Sequence, residues 1–198
     1  MREKKTQVVL EAATRIFLKY GYSEATTDKI QKAAKVSKPT LFTQYPNKEA
    51  LFITVIKKEC EALTKQIEDI SFDKSPTLPS MLTSLGEQYL NILLSPIALS
   101  LYRVVIAESN KLNDIGHNFF QLGPDIILNK TIKILNTFEV DRSCNQKTLE
   151  SSAKQFLSLI RGDFQLKALT TPTNSASQNE ISEWVDLCVK LFLNGYSK

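Results

Sequence analysis

The chain has 198 residues, 42% of them apolar and 23% charged, with a formal net charge of +4; that makes one domain, or a small module joined to a larger one, long enough to bury a core without covalent staples. Its longest apolar runs, such as Leu51-Phe52-Ile53, fall far short of the roughly 20 residues of a membrane span. Three well-separated cysteines (Cys60, Cys144, Cys188), one histidine (His117) and six glycines argue against a disulfide framework, a zinc site or a Gly-rich phosphate loop, and suit a reducing cytoplasm.

Met1-Arg2-Glu3-Lys4-Lys5 leads into an amphipathic stretch, unlike the uniform apolar core of a secretory signal. Val9, Ala13, Ile16 and Tyr20 recur at steps of four and three, one helical face that ends at Gly21. A second, short helix fits Thr27 to about Ala34, with Ile30, Ala33 and Ala34 inward. A third fits Lys38 to Tyr45, with Ser37 as its N-cap and Pro39 in its first turn, where a missing N–H costs little. Pro46 stops it. Asn47 then caps a long helix from Lys48 to about Ser71, with Leu51, Val55 and Leu63 among its apolar positions.

Ser71–Pro79 reads as a break. Helical periodicity resumes from Met81 to Leu94 and again from Pro96 to about Glu108. Asn110–Gly116 is turn-like, a short helix holds Phe119 and Phe120, and Gly123-Pro124 opens a helix through Ile127, Ile134 and Phe138. After a loop at Asp141–Asn145, a long helix places Leu149, Ala153, Phe156, Ile160 and Phe164 on one side. Thr170–Ser177 is a polar loop, and a last helix aligns Ile181, Trp184, Val185, Cys188 and Phe192. Sustained period-two alternation is absent, so the fold class is all-α: an N-terminal three-helix unit followed by a larger helical body.

Charge is unevenly spread over this frame. Residues 1–60 hold twelve Lys/Arg against six Asp/Glu, a net of +6, and the remainder is near neutral at −2. Between Thr27 and Lys48 there are five lysines and one acid. A basic segment on a neutral body points to a polyanion. Three short helices with a tight turn between the second and third are what a helix-turn-helix requires. The helix beginning Ser37-Lys38-Pro39-Thr40 would present free N–H groups and the positive end of its dipole to phosphate. Lys38, Thr40, Thr43 and Gln44 would face base edges or phosphates in the major groove. Leu41 and Tyr45 would pack inward, and Lys48 would clamp the DNA backbone from outside the groove.

Residues 8–56 resemble the DNA-binding domain of the tetracycline-repressor (TetR) family. The matching string is Ala12-Ala13, Phe17, Gly21-Tyr22, Thr26-Thr27, Ile30, Ala33-Ala34, Val36-Ser37-Lys38, Thr40-Leu41-Phe42, Tyr45, Asn47-Lys48-Glu49 and Leu51. The resemblance implies a dimeric repressor with a helix-turn-helix on each subunit and a helical body that binds a small ligand. The expected DNA-contacting set is Thr27, Lys38, Pro39, Thr40, Phe42, Thr43, Gln44 and Lys48, in a domain spanning residues 1–47. Three positions depart from the family pattern. Lys35 stands where Gly is usual at the turn, at a cost of about 1 kcal/mol if φ is positive. Phe42 replaces a Tyr hydroxyl, and Gln44 replaces a common His. They bear on which operator is read.

Over roughly residues 95–170, Arg103-Val104-Val105-Ile106-Ala107-Glu108, Phe119-Phe120-Gln121-Leu122-Gly123-Pro124 and Phe156-Leu157-Ser158-Leu159-Ile160-Arg161-Gly162-Asp163 resemble the body of the AefR-like branch of that family. The body, residues 48–198 with Lys48–Ser71 as the connecting helix, would bind ligand and dimerise. The broad apolar stripes of the last two helices either complete the core or form a four-helix dimer interface. The resemblance favours an interface over 148–169 and 178–194, with Phe156, Ile160, Ile181, Trp184, Cys188 and Phe192 as its members. Two half-sites on one face of the duplex, roughly 34–36 Å apart, also demand a dimer. The effector pocket is expected among helices from Met81 to Ile160, with Arg103, Glu108, His117 and Phe120 as contacts and Asn110, Phe119 and Gln121 nearby. A purely structural reading stands beside it: Phe119 and Phe120 in the core, His117 on a surface loop, Arg103 paired with Glu108.

An enzyme is disfavoured. Glu61, Glu68, Asp69 and Asp73 offer carboxylates, but HExxH, GxSxG and P-loop motifs are missing, and Cys60 and Cys188 fall in apolar patterns typical of inert burial. No catalytic residue, metal or cofactor is expected. The expected partners are double-stranded operator DNA, a second copy of the chain and a small apolar or amphipathic effector. The alternative is an activator, or a helical interaction module without ligand-controlled repression.

Overall fold

A computed structural model describes residues 2–68, 77–112, 114–138, 146–171 and 176–196, with residues 2–5, 68, 146–147 and 196 as backbone only. Among them the regular elements are all α-helices: α1 Arg2–Glu24, α2 Thr27–Ala34, α3 Lys38–Gln44, α4 Lys48–Glu68, α5 Leu78–Leu93, α6 Pro96–Glu108, α7 Ile115–Leu122, α8 Pro124–Phe138, α9 Gln146–Arg161, α10 Phe164–Thr170 and α11 Gln178–Tyr196. The expected loop at Asp141–Asn145, Cys144, Asp69, Asp73 and most of the Ser71–Pro79 break lie outside the described residues. No single described helix is long and apolar enough to cross a membrane.

The helices sort into two compact units. One comprises Met1–Ala62 with Ser100–Leu122, the other Leu63–Leu99 with Gly123–Lys198. In the first, α1 packs on α2 and α2 on α3. Val9, Ala12, Ala13, Ile16 and Phe17 of α1 are buried with Ile30, Ala34, Leu41, Leu51, Phe52 and Val55. Gly21, with φ 73° and ψ 175°, breaks the helical path of α1, a conformation that side chains rarely adopt. Because the chain turns there, Tyr22 comes inward and sets its ring 4.9 Å from Phe52. Tyr20, expected on the inner face, is exposed instead, its ring flanked by the Lys19 and Lys29 ammonium groups at 5.0 and 4.9 Å. Ala33 is exposed too, since Ile30 and Ala34, one turn apart, suffice for the inner face of so short a helix.

In the second unit α5 packs against α8, α9 and α11. A Cβ on Gly86 would lie 2.9 Å from Val185 and 3.0 Å from Ile160, so its bare Cα lets three helices approach closely. The Tyr89 hydroxyl accepts from Arg161 Nη2 at 3.0 Å, and Ser182 donates to Glu87 at 2.7 Å.

Two boundaries differ from the periodicity. α5 begins at Leu78, not Met81: the Thr77 hydroxyl accepts from the Ser80 N–H, Ser80 Oγ accepts in return from the Thr77 N–H, and Pro79 sits harmlessly in the first turn. The long helix expected to run through Phe164 is two, because Gly162 adopts a φ of 48° and separates α9 from α10. The expected dimer residues are placed as follows. Phe156, Ile160, Ile181 and Cys188 are buried within the protomer. Trp184 is half-buried and donates its Nε1–H to the Ile160 carbonyl at 2.8 Å, and Phe192 packs edge-on to Phe156 at 5.2 Å. The periodic stripe marks the face toward the core, and a single chain offers no local signal for a second apolar face.

Candidate nucleic-acid interface

The helix-turn-helix is set by local chemistry. Thr26, in extended conformation, accepts from the Lys29 N–H at 3.2 Å and starts α2. At the other end Lys35 takes φ 53° and ψ 42°, the left-handed region, and is the one non-glycine among the described residues to do so. Its N–H reaches the Lys32 carbonyl at 3.3 Å and the Val36 N–H reaches Gln31 at 3.1 Å. This closes the helix with the hydrogen-bond pair usually built on glycine. The strain of about 1 kcal/mol expected for a side chain here is therefore present, and it leaves a cation at the turn. Ser37 caps α3, accepting from the Thr40 N–H at 3.3 Å, while Leu41 and Tyr45 are buried beneath it.

That burial leaves Lys38, Pro39, Phe42 and Thr43 exposed and Thr27, Thr40, Gln44 and Lys48 half-buried. The hydroxyls are pre-oriented: Thr40 and Ser37 share a hydrogen bond of 2.8 Å, and Thr43 donates to the Pro39 carbonyl at 2.8 Å. Gln44 buries its Oε1 without a hydrogen-bond partner. Lys38 is not bare, for its Nζ lies 3.4 Å from Asp28 Oδ1.

Lys48 does more than the sequence shows. Its Nζ donates to the carbonyls of Tyr22 at 2.9 Å and Ala25 at 3.1 Å, and it lies 4.1 Å from the centre of the Tyr22 ring. Two of its three N–H groups therefore fasten the start of α4 to the corner between α1 and α2. Glu108 grips the same corner from α6: its Oε1 accepts from the Ser23 N–H at 3.3 Å and Ser23 Oγ at 3.0 Å, and Lys111 lies 3.3 Å from its Oε2. Burial alone would push this carboxyl up; the Ser23 hydroxyl and N–H and the Lys111 ammonium outweigh it and hold it below the usual glutamate value. The contribution of this contact to stability is thus present above the ordinary glutamate pKa and lost as pH falls through the lowered one.

Glu108, expected in an effector pocket, is thus engaged inside the protein by Ser23 and Lys111. Arg103, His117 and Phe120 are exposed on α6 and α7, Phe120 at 56%, and all four belong to the unit that carries the helix-turn-helix. Phe119 is core, edge-on to Tyr102 at 4.9 Å. Burial raises the Cys60 thiol, helped by Glu59 and Glu61, to about 12 and the Cys188 thiol to about 11, so both stay protonated and unreactive near neutrality. Sequence reasoning missed the Asp28–Lys38 pair and the Ser23–Glu108 bond. The first spans a turn, and the second joins residues 85 positions apart.

Comparison with known proteins agrees with this geometry. Residues 9–55 match the model for bacterial regulatory proteins of the tetR family, and residues 80–198 match the C-terminal domain of AefR-like transcriptional repressors. The chain is 38% identical over 78 residues to the HTH-type transcriptional regulator YhgD of Bacillus subtilis, a match that spans 38% of each chain. The solved structure of the flavonoid-responsive regulator FrrA superposes with a TM-score of 0.78 at 28% identity, covering 98% of this chain and 97% of that one. FadR of Bacillus subtilis, solved in complex with stearoyl-CoA, shares the fold with a TM-score of 0.69 at 15% identity, covering 96% of this chain and 98% of that one. A cationic helix-turn-helix closed by a left-handed turn residue, followed by an AefR-like helical domain, makes this chain a member of the TetR family of transcriptional regulators.

Proposed function

We propose that the protein is a homodimeric repressor that occupies a two-half-site duplex operator and leaves it when a small apolar or amphipathic molecule binds its helical body. The observation that carries this reading is α3, which keeps Leu41 and Tyr45 in the core and turns Lys38, Pro39, Phe42 and Thr43 outward on a segment with five lysines and one acid. Phosphate contacts from these lysines supply sequence-independent affinity, and the threonines read base edges, joined by Gln44 once its buried amide swings outward. Lys48 holds α4 to the corner before α2, so a displacement of α4 re-aims α2 and α3 together. The ligand acts only through unequal affinity for the DNA-bound and released states. A small effector is supported by FrrA, described as flavonoid-responsive, and by FadR, which holds stearoyl-CoA.

The dimer face we assign is the outer side of α10 and α11. Leu187 and Leu191, one turn apart on α11, are exposed at 59% and 60%, and Leu166 of α10 at 65%; an open apolar pair on one helix face is what an interface would use. The test is to select duplexes from a random pool with the purified protein and titrate the selected complex with flavonoids and long-chain acyl-CoA. Release by a compound that binds supports ligand-controlled repression. A compound that binds without changing DNA affinity, and the absence of any duplex binding at low salt, each refute it.

A further inference from the structure

We propose that Asp28 holds operator affinity down by competing with phosphate for the ammonium of Lys38. From Thr27 to Lys48 it is the one acid among five lysines, and its Oδ1 lies 3.4 Å from Lys38 Nζ with both side chains more than half exposed. A carboxylate in the first turn of α2 is favoured by the helix dipole, which accounts for an acid near this position but not for its pairing with α3. That pairing joins the first turns of the two helices of the motif and neutralises the cation that opens α3.

Bound DNA brings phosphates toward the same ammonium, so the carboxylate and the phosphate compete for one donor group. In a loose, sequence-independent encounter the phosphate is partly hydrated and its pull is weak, so Asp28 keeps Lys38. In a closely fitted operator complex the phosphate is near and dehydrated, and Lys38 transfers. An exposed ion pair is worth little by itself, which makes it a fitting competitor: it breaks readily when the DNA fits and otherwise subtracts one phosphate contact. The operator complex therefore bears the full cost of breaking the pair, and the loose complex loses only the weaker phosphate contact it forgoes, so Asp28 lowers operator affinity more than non-specific affinity. The repulsion between the freed carboxylate and the DNA backbone acts in the same sense.

The inference rests on the DNA-binding reading of α3, and the test keeps the two apart. Asp28→Asn, Lys38→Ala and the double variant are compared with the unmodified chain by fluorescence anisotropy. The probes are a labelled random-sequence duplex of about 30 base pairs and a duplex selected by the unmodified protein, each at several salt concentrations. Asp28→Asn should bind the selected duplex roughly fivefold tighter. On the random duplex the gain should stay below about twofold, with a salt slope steeper by about one contact, and in the Lys38→Ala background both gains should shrink. No gain on the selected duplex, a larger gain on the random duplex, or gains undiminished without Lys38 overturn the proposal while leaving DNA binding intact. An unmodified protein that ignores both duplexes at low salt overturns the DNA-binding reading and the proposal with it.

Discussion

Lys48 is where one side chain serves two masters. Its ammonium carries two backbone carbonyls and a tyrosine face, and its remaining N–H is the one left to offer a phosphate. Charge-assisted hydrogen bonds to backbone contribute about 1.5–3 kcal/mol each where buried, and less at a half-exposed site such as this. We expect Lys48→Ala to lower the melting temperature by several degrees and to weaken binding uniformly across duplex sequences. The salt slope should flatten by about one contact. Thermal melts and salt-dependent anisotropy check both parts. A lowered melting temperature with an unchanged slope confines Lys48 to the corner and removes it from the phosphate contacts. Lys35 shows the opposite economy: a strained backbone is tolerated at the turn, and the side chain there adds positive charge beside α3.

Among the elements, α5 is the one on which the second unit is built, and Gly86 is its tightest point. A methyl group there would have to push aside Val185 on α11 and Ile160 on α9, approached at 2.9 and 3.0 Å. Overpacking of this kind costs about 1–3 kcal/mol. Helix propensity returns up to about 1 kcal/mol, since alanine is the better helix former. Gly86→Ala should therefore destabilise the protein by about 1–2 kcal/mol in chemical denaturation. A stabilised variant would mean that α9 and α11 yield without loss. The sequence displays α5 as a helix but gives no sign that its glycine is a packing site, because steric closeness depends on residues 74 and 99 positions away.

For the whole molecule the question is what covers α10 and α11. Trp184, by aromatic size the natural interface anchor, is tied to the Ile160 carbonyl within its own protomer, so replacing it disturbs the fold before any assembly. Leu187 and Leu191 stand one turn apart on the outer face of α11 and are open. Leu187→Glu should leave the helical spectrum and melting of the protomer nearly intact and shift the protein toward monomers in sedimentation, with loss of high-affinity operator binding. A dimer that persists at micromolar concentration places the interface on another surface.

What the sequence by itself determined is local. The α3 and α6 boundaries, the Ser37 and Asn47 caps and the turn at Lys35 all follow from interactions within about five residues, which is the range that helical periodicity and capping report. The resemblance of residues 8–56 to a DNA-binding domain was legible for the same reason: the motif is short and its core positions are close in the chain. The tertiary structure alone decided which side of each amphipathic helix is covered within the protomer. Phe156, Ile160, Ile181 and Cys188 went to the core, and Leu187 and Leu191 to the outside. It alone joined Glu108 to Ser23, and only it paired Asp28 with Lys38. Each of these contacts depends on how helices meet in space, and a pattern that repeats every three or four residues shows that a helix has an apolar side without showing what will lie against it.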